Sequence, residues 1–370
     1  MEKLQDYVRY SGENKDEQIL KKLKDCLLPV VVYGFGNSGQ VLIEMLNYHG
    51  ISVQAAFVDD AYYRELQDDE IKLYRKSEID KIFDAYIVVV GMTNYTYAKQ
   101  SLRTMTNCKQ IFCFANPYRY LDERILTWEY YWQHKELFQQ SFECFEDETS
   151  REIFKAYINT AINRDASFLL GYEGGKTYFN QDLFEIGENE TYVDAGAYNG
   201  DSVENFLNAV QGRYKEIYAI EPDIKNFDAL IQKSEQRNWK RIKMINCGLW
   251  EKKSVLKFSA DNQQESSILT DKTVNSEEIL VDTLDSVLKG RKISFLKLSV
   301  QGAEYEALQG AAKTIENHRP KIAMTIFMKM DALLRIPMLL KEKYPFYRLY
   351  LRCEEPFWAR VILYAVPYKN

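Results

Sequence analysis

Histidine is almost missing from this chain, with three in 370 residues. That excludes a histidine-rich metal centre and leaves few imidazoles for proton transfer. Six cysteines stand at 26, 108, 113, 144, 247 and 353, and no two form a CxxC pair. A zinc knuckle or a disulfide framework is therefore not expected; the six read as reduced thiols, mostly core filler. No apolar window approaches the roughly 20 residues of a membrane-spanning helix. Positive charge is not in excess either: the formal net charge is −6. A weakly acidic chain without basic runs is a poor partner for nucleic acid or an anionic membrane. The opening Met1-Glu2-Lys3-Leu4-Gln5-Asp6 is too polar for a secretory signal, so a cytoplasmic location is expected.

What is present is a large apolar and aromatic fraction. The chain is 46% hydrophobic, with 27 tyrosines and 19 phenylalanines. Most of these rings are expected to pack cores and interfaces. The length predicts two or three domains.

Near the N-terminus, Ile19, Leu20, Leu23 and Leu27 recur at helical spacing. Pro29-Val30-Val31-Val32-Tyr33 is a continuous apolar run, suited to a buried parallel strand. It enters Gly34-Phe35-Gly36-Asn37-Ser38-Gly39, a GxGxxG match, and a helix carrying Val41, Leu42, Met45 and Leu46. A second strand, residues 53–58, ends in Asp59-Asp60, about 20 residues on, where an acid meets a ribose in dinucleotide folds. Further strands are expected at 86–90 and 110–114. The spacing predicts a small Rossmann-like domain over residues 1–118, with Gly34, Gly36, Asn37, Ser38, Gly39, Asp59 and Asp60 around a nucleotide. The alternative is that the glycines only let helix and strand pack closely. The stretches 33–40 and 57–60 also resemble the N-terminal domain of bacterial sugar acyltransferases and sugar-modifying enzymes. That likeness implies a nucleotide-sugar, rather than a nicotinamide dinucleotide, as the ligand.

Residues 119–164 hold neither glycine nor proline. Trp128, Tyr131, Trp132, Leu137 and Phe138 form an aromatic stripe, and Ile153, Phe154, Tyr157 and Ile158 mark a second helix. A helical connector over 119–170 is expected. Its stripe reads as core or as the contact of a homodimer.

The chain is organised around Thr191-Tyr192-Val193-Asp194-Ala195-Gly196-Ala197-Tyr198-Asn199-Gly200-Asp201-Ser202. It reads as a buried strand, a glycine turn and a helix start, with Asp201 or Ser202 as cap. Such a turn is expected to aim free backbone N–H groups at the crevice above the strand ends. A second strand, residues 216–220, ends in Glu221-Pro222-Asp223 at ribose-binding distance. The segments 193–202 and 220–223, with Asn246-Cys247-Gly248-Leu249-Trp250, Phe295-Leu296-Lys297 and Gly302-Ala303-Glu304, resemble the FkbM family of S-adenosylmethionine (SAM) dependent methyltransferases. The resemblance runs from about Phe142 to the C-terminus.

It implies an α/β fold with a class I methyltransferase-like domain over 171–370, so that the whole chain would hold two Rossmann-like doubly wound sheets. It implies SAM as cofactor, held by Asp194, Gly196, Ala197, Tyr198, Gly200, Asp201, Ser202, Glu221, Pro222, Asp223, Cys247 and Gly248. Ser266-Ser267 matches a serine pair bordering the substrate side. The Tyr178-Phe179 loop is expected to form part of the pocket, its cover, or plain surface. The implied reaction is methyl transfer to a hydroxyl of a sugar, nucleotide-sugar or related small molecule. Lys297, Ser299, Gln301 and Glu304, at the end of the fourth core strand, are the catalytic candidates.

The chain also departs from the family at strand ends. The pattern Lys-x-Asp-x-Glu-Gly-x-Glu carries Ser299 for its Asp and Gln301 for its first Glu. Phe327-Met328 stands where Tyr-His is usual, and Arg352-Cys353 where Arg-His is common. His318 is expected at the sheet edge opposite the crevice. Glu304 is left to accept a proton or merely to favour a helix N-terminus. A SAM-binding pseudoenzyme, or a nucleotide-sugar or dinucleotide binder acting through the N-terminal domain, are the competing readings.

Overall fold

The computed structural model describes residues 2–65, 71–92, 95–114, 126–172, 174, 178–259, 276–326, 329, 331–356 and 360–368. Ser266, Ser267, Phe327 and Met328 lie outside these described residues.

The first sheet is built from α1 (Lys15–Lys24), β1 (Val30–Tyr33), α2 (Asn37–Tyr48), β2 (Val53–Val58), β3 (Leu73–Arg75), α3 (Lys76–Ile82), β4 (Tyr86–Val90), α4 (Tyr95–Leu102) and β5 (Cys108–Phe112). Its five strands run parallel in the order β3-β2-β1-β4-β5. The run Val30–Val32 is buried because helices cover both faces. Leu20 and Leu23 of α1 and Leu42 and Leu46 of α2 meet Val30 and Val32 on one face. Ile79 of α3 and Leu102 of α4 meet Val31 and Tyr33 on the other. The doubly wound sheet is as expected, with β3 in addition. Three residues are too few to show a period.

Three helices follow: α5 (Trp128–Gln133), α6 (Lys135–Glu143) and α7 (Glu148–Asn163). Asp147 caps α7 by accepting the Ser150 N–H at 2.9 Å. Tyr131, Phe138, Phe142, Ile153 and Phe154 join the core of the second sheet. The beginning of the chain packs there too. Leu4 and Val8 enter the same core, and Arg9 N–H donates to Asn159 Oδ1 on α7 at 2.9 Å. Residues 4–10 therefore lie on the helical segment rather than on the first sheet.

The second sheet contains β6 (Thr191–Ala195), α8 (Asp201–Ala209), β7 (Glu216–Ile220), α9 (Ile224–Gln236) and β8 (Ile242–Ile245). After an excursion of β9 (Gly248–Leu249), β10 (Ser254–Ser259) and β11 (Ser276–Asp282) come α10 (Leu284–Leu288), β12 (Phe295–Leu298), α11 (Glu304–Gln309) and α12 (Ala312–His318). Then follow β13 (Lys321–Thr325), α13 (Ala332–Lys343), β14 (Tyr347–Glu355) and β15 (Arg360–Pro367). The strand order is β14-β15-β13-β12-β6-β7-β8, with β15 antiparallel to both neighbours. The chain winds outward from β6 to β8, then restarts at β12 on the other side. Adjacent β6 and β12 therefore open a crevice at their carboxyl ends. No helix among the described residues is long and apolar enough to cross a membrane.

Candidate active site

The floor of the crevice is a buried ion pair. Asp194 is fully covered, and Lys297 is 2% exposed. Lys297 Nζ lies 2.9 Å from Asp194 Oδ1 and donates to the Gly196 carbonyl at 2.7 Å. Ser202 Oγ donates to Asp194 Oδ2 at 2.7 Å. Burial alone would lower the Lys297 pKa, but Asp194 and its hydrogen bond raise it above the ordinary lysine value. Lys297 thus fastens β12 to the β6 turn from beneath. It is spent on that clamp and does not stand at the rim as a catalytic group would. Ser202 serves the same clamp instead of capping α8, whose N-cap is Gly200.

Gly196 must be glycine. Its φ is +75°, and a Cβ there would sit 2.0 Å from the Ser299 carbonyl oxygen. Gly200, at φ +84°, packs under Leu230 and Trp239. Four N–H groups of this turn are taken within the protein: Gly196 and Ala197 donate to the Ile220 carbonyl, Gly200 to the Ala197 carbonyl, and Tyr198 to Glu221 Oε2. Recognition here therefore draws on a side chain as well as on backbone.

Glu221 is the side chain placed to supply it. Its Oε2 accepts the Tyr198 N–H at 2.8 Å and its Oε1 the Asp223 N–H at 3.1 Å. Each carboxylate oxygen keeps a lone pair for another donor. Burial pushes its pKa up to about 7, against the two backbone donors. A ribose diol, with two adjacent hydroxyl donors, fits this group. Asn246 Nδ2 donates to the Glu221 and Pro222 carbonyls and holds the rim of β7 and β8 together. Asp223 is used as the cap of α9, accepting the Asn226 N–H at 2.9 Å. Cys247 is partly buried, and desolvation pushes its thiol up to about 11, which suits apolar packing and not nucleophilic chemistry. Gly248 lies against Val281 and Pro222.

On the β12 side, Ser299 and Gln301 are half-buried at the rim, Gln301 with φ +54°. Glu304 is 2% exposed. It folds back so that Oε1 accepts the Val300 N–H at 2.9 Å, and burial pushes its pKa up to about 6. Tyr178 lies in the described part of its loop as a buried residue with φ +53°. Its ring stands 5.3 Å from Lys297 Nζ, and burial pushes its phenol pKa up. Sequence patterning left Tyr178 undecided between pocket and surface, since a single aromatic in a loop has no period.

One expectation on the far strands changes. β14 runs on to Glu355, so Cys353 is an interior, fully buried strand residue and not a strand-end one. Arg352 is tied to Asp147 at 2.6 Å and clamps β14 to α7. His318 ends α12, just before β13 begins at the edge opposite the crevice, as expected.

In the first sheet, Gly34 has φ +104° and crowds Gly91, and a Cβ on Gly39 would meet the Gly34 carbonyl oxygen at 2.1 Å. These two glycines serve close packing. Gly36 meets nothing within 4 Å and gives α2 no side-chain cap. Asp59 takes two tyrosine hydroxyls, from Tyr33 at 2.7 Å and Tyr97 at 2.9 Å, and the exposed Asp60 takes one backbone donor, the Ser77 N–H at 3.1 Å. An acidic cluster of Glu2, Glu148 and Glu152 surrounds Lys155, which neutralises it.

Residues 194–346 match the family model for the methyltransferase FkbM domain. A solved structure of methyltransferase FkbM from Methylobacillus flagellatus aligns with a TM-score of 0.68 and 19% identity, over 95% of this chain and 94% of that one. An rRNA methylase from Streptococcus thermophilus aligns at 0.35 and 15% identity, over 52% of this chain and 98% of that one. A Streptococcus mutans protein solved in complex with SAH aligns at 0.32 and 14% identity, over 50% and 91%. No protein of curated function matches. The strand order and the β6 turn agree with the family match: residues 194–346 are similar to a methyltransferase FkbM domain and have its fold.

Proposed function

We propose that this protein is a SAM-dependent methyltransferase acting on a hydroxyl of a sugar, nucleotide-sugar or related small molecule. The observation that carries the reading is Glu221, a buried carboxylate with a lone pair left on each oxygen, beside a glycine turn locked by Asp194 and Lys297. Glu221 would hold the ribose of SAM, with Cys247 and Gly248 packing beside the adenine. When bound, SAM supplies an electrophilic methyl group. The Asp194–Lys297–Ser202 clamp keeps the β6 turn rigid, so alignment of donor and acceptor costs little at the moment of reaction. Ser299 and Gln301 stand at the rim where the acceptor hydroxyl would lie. The net charge of −6 and the resemblance of the first domain favour a small sugar acceptor over nucleic acid. Calorimetry with SAM, followed by a panel of sugars and UDP-sugars, tests this. Absence of SAM binding would end the reading.

A second reading, a SAM-binding pseudoenzyme, is favoured by Ser299 and Gln301, which carry no charge where the family has two acids. Tight SAM binding without turnover, and activity gained in Ser299→Asp, would support it. The first sheet would hold a phosphate-bearing ligand such as a nucleotide-sugar through the α2 backbone at Gly36, because Asp59 is tied to Tyr33 and Tyr97. Gly36→Val should abolish that binding and leave SAM affinity alone. The half-exposed Trp132, on the aromatic stripe, supports a homodimer contact there.

A further inference from the structure

A groove of about 510 Å³ lies between the β6 turn and α9, lined by Asn199, Ala229, Gln232, Lys233, Gln236 and Arg237. None of the crevice residues Asp194, Glu221, Cys247, Ser299 and Gln301 lines it. Its five α9 residues recur at i, i+3, i+4, i+7 and i+8, one face of the helix and its C-cap. Leu230 and Ser234 turn the other way and are buried. Glu204, from the neighbouring α8, reaches both cations of the stripe. Its Oε2 is 2.9 Å from Lys233 Nζ, and its Oε1 is 3.1 Å from Arg237 Nη2.

We propose that this groove is a second ligand site, for a small phosphate-bearing molecule of the sugar phosphate class. Lys233 and Arg237 bring two positive charges against the single charge of Glu204, in a chain whose net charge is −6. The Glu204 carboxylate already spans the two cations as a pair of phosphate oxygens would. An ammonium offers three N–H donors and a guanidinium five, more than one carboxylate accepts. The planar fork of Arg237 suits a phosphate in particular. Lys233 beside it holds the Glu204 carboxyl below its usual range, so the acid stays charged and competes with an incoming anion.

The rest of the lining says what the phosphate is attached to. The volume falls in the range of small-molecule pockets, roughly 300–1,000 Å³, and leaves room beside a phosphate. Gln232 and Gln236 are exposed one turn apart, and their carboxamides both donate and accept, as sugar hydroxyls require. Asn199 Oδ1 is buried without a hydrogen-bond partner. An amide oxygen left so needs an explanation, and a ligand hydroxyl at the foot of the groove would supply its donor. None of the lining residues is aromatic, so a nucleobase has nothing to stack on. The groove adjoins the proposed cofactor turn without sharing it: Asn199 precedes Gly200, which packs under Leu230 and Trp239. The site therefore stands apart from the methyltransferase reading and does not depend on it.

The competing account is that Lys233 and Arg237 only tie α9 to α8 and favour the C-terminus of their helix. Calorimetric titration of the full chain at low ionic strength, with inorganic phosphate and glucose 6-phosphate as probes, separates the two. Both should bind, the sugar phosphate about 10-fold tighter for its extra hydrogen bonds. Arg237→Ala should weaken glucose 6-phosphate about 10- to 100-fold, the worth of a charge-assisted hydrogen bond, and Arg237→Lys should recover part of the loss. Glu204→Gln should tighten both probes, because it removes the anion that competes for the same cations. Gln232→Ala should weaken the sugar phosphate and leave phosphate alone. The same titrations on Gly36→Val keep any phosphate held by the first sheet out of the count. Protein saturated with SAM should bind both probes as before. Failure of both probes to bind, affinities unmoved by Arg237→Ala and Glu204→Gln, or competition with SAM overturns the site. Equal affinity for the two probes overturns the sugar phosphate as its ligand. Protein that does not bind SAM overturns the methyltransferase reading instead, and the Arg237 and Glu204 variants still decide the groove.

Discussion

The two sheets present the same local design, a buried strand, a glycine turn, a helix and an acid at the end of the next strand, yet they dispose of its polar groups in opposite ways. In the first sheet, Asp59 is held by two tyrosine hydroxyls, and α2 begins at Gly36 without a side-chain cap. In the second, N–H groups of the turn donate to the Ile220 carbonyl and to Glu221, whose carboxylate takes backbone donors where Asp59 takes side-chain hydroxyls. The first turn is left to recognise a ligand by backbone, which suits phosphate. The second is left to recognise one by carboxylate, which suits a diol. A shared motif therefore does not imply a shared ligand.

Removing the clamp should have the largest effect. Lys297→Ala leaves Asp194 buried without its cation, and chemical denaturation should show a loss of about 3–5 kcal/mol. No described residue of the first sheet forms a comparably buried ion pair, so an equal loss from any substitution between Gly34 and Gly39 would break the contrast.

The acids differ in a way that pH exposes. The pKa of Glu221 is raised by folding, so its contribution to stability is fully present below the ordinary carboxylate range and is lost as pH rises through about 7. Glu221→Gln removes that dependence. The variant should gain roughly 1–3 kcal/mol over wild type at pH 8 and little at pH 4. Urea midpoints at the two pH values measure it. The same substitution should weaken SAM binding at pH 8.

Asp59→Ala should behave in reverse. It leaves Tyr33 and Tyr97 without their acceptor and should cost about 1–3 kcal/mol, while calorimetric SAM affinity stays at the wild-type value. A fall in SAM affinity would mean that the two sheets share a ligand. The smallest effect is expected at Gly36, where a Cβ meets open space. Gly36→Ala should change stability by less than about 0.5 kcal/mol, whereas Gly196→Ala, at positive φ and against Ser299, should cost about 1–3 kcal/mol.

The main parallel strands and their glycine turns were legible from the chain, because apolar runs that end in glycine mark buried strands. Gly196 and Glu221 lie at the strand ends where spacing put them. Hydrogen-bond ownership was not legible. Nothing in the order of residues says that Asp59 meets Tyr97, that Lys297 turns inward to Asp194, or that Glu204 meets Lys233, since each pair is brought together only when separate strands and helices pack. Local sequence determined which segments become strands and which turns need glycine, through backbone sterics and side-chain burial. Tertiary structure decided which polar groups remain open to a ligand, because a buried donor or acceptor takes the partner that folding places within reach.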